Sequence, residues 1–148
     1  MSYGNQPPQF GVNGGYPQTP ERDPNGKDPH EHGSKLDAGK ELPFTVLQGF
    51  ARAIKAVVRV GTFGANKYTA NGWLSVDNGV IRYANASERH REEVMIHGLL
   101  SVNEKDGGVY HLAQKIWNDL ATLELLLRDE GSKNLRQSNV PFPPEQLG

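Results

Sequence analysis

A lysine and two aromatic residues follow a pair of glycines in the segment of this sequence richest in chemistry: Gly61-Thr62-Phe63-Gly64-Ala65-Asn66-Lys67-Tyr68, then Asn71-Gly72-Trp73. Glycine lets the backbone approach a ligand closely. Lysine supplies a compact positive charge, and aromatic rings supply flat faces on which a base can stack. A ligand carrying both phosphate and base would use all three. An ordinary helix stop with packed aromatics would use the same residues for stability alone, and at this point both readings stand.

Two further groups lie downstream. Arg82-Tyr83 and Arg89-His90 fall on one helix, and His111 and Asn118 on the next. A guanidinium held against a protein interior is costly unless an anion meets it. Arg89 therefore calls for a carboxylate (Glu92, Glu93 or Glu124) or an anionic ligand. His90 shares a face with Tyr83 and Val94 and reads as a hydrogen-bonded core histidine ahead of a metal ligand. His111 and Asn118 are two helical turns apart, with Gln114 between them, so all three share one face. Such a line can bond a base edge or a phosphate, or orient a metal-bound water. Asn118 is the more pointed of the set, because asparagine is unfavourable in mid-helix and here it adjoins Trp117.

Divalent cations need clustered oxygen ligands. Glu88 and Glu92 are one turn apart, and Asp119 lies on the third helix; facing one another they would hold magnesium, whereas facing water they form a solvated stripe. The Glu-x-x-Glu and Glu-x-x-Asp spacings of the all-α nucleotide pyrophosphatases are missing from the corresponding places. Glu104, Asp106, Gly107 and Gly108 form an acidic, glycine-rich turn before His111. Gly33-Ser34-Lys35-Leu36-Asp37-Ala38-Gly39-Lys40 has the glycines and lysines of a phosphate lid but not the P-loop pattern.

Helices must position these groups. Leu47, Phe50, Ile54, Val57 and Val58 recur at helical spacing, predicting a first helix from Phe44 to about Val60, ended by Gly61 and Gly64. A second runs from Asn78 or Gly79 to His97, capped by Asp77 or Asn78 and stopped by Gly98. A third runs from Gly108 to Arg128, with Leu112, Ala113, Ile116, Leu120, Leu123 and Leu127 as a long apolar stripe. Strand signals are weak, and the best of them is a short ribbon over Leu74–Val76 beside Trp73. The expected fold is all-α: a small bundle of three main helices with flexible terminal arms, completed by oligomerisation because so small a core is marginal alone. Residues 1–34 read as a flexible Pro/Gly/Asn-rich arm, 35–130 as a helical nucleotide-binding domain and 131–148 as a flexible tail.

The totals narrow the classes. The chain has 148 residues, a formal charge of −1 and no cysteine. Its cations form no basic tract, which argues against general nucleic-acid binding. Disulfides and thiolate metal sites are excluded. No signal-peptide pattern and no membrane-length apolar run is present, so a cytoplasmic protein is expected, in the host cytoplasm if a phage encodes it.

Taken in order, Gly33-x-Lys35-x-Asp37-x-Gly39-Lys40, Val60-Gly61-Thr62-Phe63-Gly64-Ala65-x-Lys67-Tyr68, Gly72-Trp73, Arg82-Tyr83, Arg89-His90, Gly108-x-x-His111 and Trp117-Asn118 resemble one family. It is the dATP/dGTP diphosphohydrolase N-terminal-domain group, common in phages and prophages. The resemblance spans about residues 33–127. It implies a small helical protein acting on purine deoxynucleoside triphosphates with Mg²⁺ and releasing a monophosphate and pyrophosphate. On that basis Lys67 and Arg89 would meet phosphate, Tyr68 or Trp73 would stack the base, and Arg82 and Asn118 would contribute to substrate binding. His90 and His111, with Glu88 and Glu92, would serve catalysis, and Glu92 and Asp119 would hold the metal. The chain departs from the family in three places. Gln114 stands where a second histidine is common, Asn85 where an aspartate is frequent, and Ser87-Glu88 where apolar residues occur. A chain altered at metal-binding positions would bind a nucleotide, or sequester one, without hydrolysing it.

Overall fold

The computed structural model describes residues 20–132, with side chains through Asp129. Backbone contacts divide the chain between Val46 and Leu47 into two compact units.

The N-terminal unit is a run of turns tied by one buried carboxylate. Asp23 accepts the Asn25 N–H at 2.7 Å and the Lys35 N–H at 2.8 Å, joining two distant points of the loop. Donors to the charged form favour ionisation, and the Lys35 N–H does most to hold the Asp23 carboxyl below its ordinary range. Gly26 and Gly33 reverse the chain at φ 77°, a backbone that L side chains rarely adopt. A concavity of about 270 Å³, lined by Arg22, Asp23, Lys27 and Leu36 among others, belongs to this unit. Of the arm expected over residues 1–34, the first nineteen lie outside the described residues, and residues 20–34 follow these turns. The C-terminal tail lies outside them from Lys133 onward.

In the second part of the chain the helices come in a different order of breaks from that expected. A short α1 (Pro43–Gly49) gives way at Phe50 to α2 (Ala51–Lys67). The single helix expected to end at Gly61 and Gly64 instead breaks at Phe50 and runs straight through both glycines. Packing explains this. Val57 and Val60 of α2 are buried with Ala113, and Trp117 lies against them. A Cβ on Gly61 would sit 3.0 Å from Trp117 Nε1, so this glycine makes room for an indole rather than a turn. Tertiary contact overrides helix propensity here.

The segment Gly72–Ser75 is a 3-10 turn, not the ribbon expected near Trp73. Asn71 enters it at φ 58°, and the Tyr83 hydroxyl donates to the Trp73 carbonyl at 3.1 Å, taking up a backbone acceptor that a strand would have paired. α3 spans Gly79–His97, as the sequence predicts, and Gly98 ends it at φ 103°. Asn78 occupies the cap position but makes no side-chain cap bond. A two-stranded antiparallel ribbon follows, β1 (Val102–Asn103) and β2 (Val109–Tyr110), with Val102 opposite Tyr110 and Asn103 opposite Val109. The ribbon absorbs Gly108 to Tyr110, so α4 begins at His111 and continues to Ser132.

α4 packs mainly on α3 and less on α2. Trp73, Tyr83 and Trp117 meet edge to face, with centroids 5.7–6.4 Å apart, and lock the 3-10 turn, α3 and α4 together. The expected apolar stripe on α4 does not form the core. Only Ala113 of that stripe is buried, while Ile116, Leu120, Leu123 and Leu127 stay exposed. The face turned inward carries His111, Gln114, Asn118 and Ala121. Among the described residues no large side chain is fully buried.

Candidate functional site

A carboxylate in the ribbon turn gathers side chains from two helices. Asp106 accepts the Lys67 ammonium at 3.2 Å on one oxygen. Its other oxygen accepts Asn103 Nδ2 at 3.1 Å and Gln114 Nε2 at 3.0 Å, and Asn103 also donates to Gln114 Oε1 at 3.0 Å. The local chain makes this hub. Gly107 leaves the short 3-10 segment at φ 77°, and a Cβ there would lie 3.1 Å from the Phe63 ring, so α2 closes directly over the turn. Lys67 comes from the last turn of α2 and lies 5.4 Å from the centroid of the Tyr68 ring. The bond to Asp106, and then its charge, raise the Lys67 pKa above the ordinary lysine value.

Beside this hub stands a histidine pair. His90 of α3 and His111 at the start of α4 place their Nδ1 atoms 3.1 Å apart, with ring centroids at 5.4 Å, so the rings meet end to end. Two identical atoms bond only when one carries a hydrogen and the other does not. The neutral pair thus holds one hydrogen between its rings and presents two Nε2 atoms, one donor and one acceptor. One added proton leaves the bond intact; a second breaks it. Burial lowers the His90 pKa, and the neighbouring His111 and Arg89 push the same way, while Asp106 and Glu93 oppose them.

Other expected residues lie as follows. Arg89 is exposed and has no ion pair among the described residues. Of its three expected partners, Glu93 meets His97 at 3.4 Å, Glu124 meets Arg128 at 2.7 Å, and Glu92 is exposed. Arg82 is exposed and reaches the Asp77 carbonyl at 3.4 Å. Tyr68, next to Lys67, is 74 % exposed. Trp73 is packed edge-on against Tyr83 and Trp117, in structural rather than stacking surroundings. Asn118 is buried and donates to the Gln114 carbonyl at 2.8 Å.

The carboxylates do not converge. Glu88 takes Arg91 at 2.7 Å on the surface. Asp119 accepts the Ser87 hydroxyl and, at 2.7 Å, the Lys115 ammonium. Burial alone would raise its pKa, but these two bonds outweigh that and lower it. Among the described residues no three His, Asp or Glu side chains come together in a way that could hold a metal ion. The fold thus joins His90 to His111 and Lys67 to Asp106, with Asp106 near enough to act electrostatically on His90, sets Arg89 beside His90 in sequence, and brings Glu88, Glu92 and Asp119 into no cluster. Asn103 went unnoticed in the sequence, where nothing in its spacing marks it; only the ribbon pairing carries it to Asp106 and Gln114.

No curated protein and no solved structure matches the chain. A family profile described as dATP/dGTP diphosphohydrolase, N-terminal, matches residues 30–135, which include Lys67, His90, Asp106 and His111. By that match, over most of its length, the chain belongs to the dATP/dGTP diphosphohydrolase N-terminal-domain family.

Proposed function

We propose that this protein binds a purine deoxynucleoside triphosphate beside the histidine pair and hydrolyses it to the monophosphate and pyrophosphate. The observation that supports this most is the junction of a cationic hub, Lys67 on Asp106, with a one-hydrogen histidine pair, His90 and His111, in a chain of this family. Lys67 spends one of its N–H donors on Asp106 and has others for phosphate oxygens. Arg89, with no ion pair among the described residues, adds a planar donor fork suited to phosphate. Tyr68 supplies a face for the base. The ring whose Nε2 lacks a hydrogen can accept a proton from water attacking phosphorus, and the bond between the rings spreads the charge that results. Gln114, bonded to Asn103 and Asp106, ties α4 to the ribbon turn.

The carboxylates described above do not fit a resident magnesium site. In this reading Mg²⁺ arrives on the triphosphate, as part of the substrate. One observation favours a second reading, binding without turnover. Gln114, where the family commonly has a histidine, is bonded to Asp106 and Asn103, and a carboxamide offers no base. A protein so built would sequester the nucleotide. Purified chain incubated with dATP or dGTP and Mg²⁺ is expected to release pyrophosphate and monophosphate in equal amounts. Retained binding without pyrophosphate would support sequestration, and no binding of either nucleotide would overturn both readings.

A further inference from the structure

We infer that the outward face of α4 is the contact between two copies of this chain. Ile116, Leu120, Leu123 and Leu127 follow one another at steps of four, three and four residues. By that spacing a helix keeps one narrow apolar seam toward a partner helix. They are 37, 54, 53 and 50 % exposed, while His111, Gln114 and Asn118 on the opposite side of the same helix are buried. α4 therefore turns polar residues inward and leucines outward, the reverse of a helix at a water-facing surface. With Leu126, these half-exposed side chains, at roughly 90 Å² each, offer about 450 Å² of apolar surface. That is the apolar share of the ~800 Å² each partner in a stable pair buries.

The rim charges select the occupant. Lys115 pairs with Asp119 at 2.7 Å along one edge of the seam, and Arg128 with Glu124 at 2.7 Å along the other. Both edges are already neutral within each copy. An identical face meets no like-charge cost there, and a partner of either net charge finds little to grip. α2 provides the contrast. Its exposed Ile54 and Val58 run along a helix whose Arg52, Lys55 and Arg59 have no ion pair among the described residues. Two copies of that face would crowd like charges together.

Sedimentation of the full chain over a concentration series is expected to show a two-subunit species. Leu120→Glu combined with Leu123→Glu changes exposed positions, so helical circular dichroism should stay as it is while the dimer dissociation constant rises about 100-fold or more. Because the chain has no cysteine, Leu123→Cys should give a disulfide-linked dimer under mild oxidation, and Lys55→Cys on α2 should not. This crosslinking decides the matter if the double variant fails to fold. A monomer at every concentration overturns the inference, including one in which residues 133–148 fold back over the seam. So does a dimer that the double variant leaves unchanged, or one crosslinked through α2 and not through α4.

Discussion

Arg89 is the side chain with most to gain from a ligand. It is exposed, pairs with none of the glutamates expected to meet it, and sits next to His90. Removing it should therefore cost the protein almost no stability. Arg89→Ala is expected to raise the nucleotide dissociation constant about tenfold, by loss of one charge-assisted hydrogen bond, with an unchanged melting temperature; calorimetry and a thermal melt on the same sample check both halves. The histidine pair makes a pH prediction. The His90 pKa in the fold lies below its ordinary value of 6.5. Above pH 6.5 the group is neutral in both states and its stabilising contribution is complete. As pH falls below 6.5 the unfolded chain takes up the proton first, so stability drops until the folded pKa is passed. The melting temperature should fall between pH 7.5 and pH 5, and His90→Gln should flatten that slope; a slope that the variant leaves untouched would mean the pair is not its source. Individual residues were partly legible beforehand. Lys67, His90 and His111 announced themselves by type and spacing. Asp106 was visible only as one acid in a glycine-rich turn, because its role depends on contacts between side chains 39 and 8 positions apart. For Trp73 the sequence could not decide, since an aromatic that packs and one that stacks a ligand look alike in it.

At the scale of the helix, Gly61 and Gly64 separate packing from propensity. Both lie inside α2, and a glycine in a helix interior costs about 0.5–1 kcal/mol relative to alanine. Nothing lies within 4 Å of a Cβ on Gly64. Gly64→Ala should thus stabilise by about 0.5–1 kcal/mol. At Gly61 the new methyl would press on Trp117, which its edge contacts with Trp73 and Tyr83 hold in place. Gly61→Ala should destabilise by about 1–3 kcal/mol. Urea denaturation of the two variants should move the midpoint in opposite directions. The bounds of α3 were readable because Gly79 and Gly98 frame an uninterrupted helical pattern. The break at Phe50 was not, since the apolar spacing continues across it. The ribbon escaped notice because two-residue strands carry too little pattern, and their pairing follows from the turn at Gly107 and Gly108 rather than from alternation.

Across the molecule, the small buried core and the leucines outside it make stability a matter of concentration. If two copies share the α4 face, the melting temperature should climb by a few degrees over a hundredfold rise in protein concentration, and the double glutamate variant should melt at one temperature throughout. Periodicity alone revealed that α4 carried a stripe, but not which way it faced. The stripe points out while His111, Gln114 and Asn118 of the same helix are buried. The aromatic triangle has an optical corollary. Both tryptophans of the chain belong to it, at positions 73 and 117. Intrinsic emission therefore watches a single junction. A denaturation curve followed by tryptophan light would time the loosening of α3 from α4.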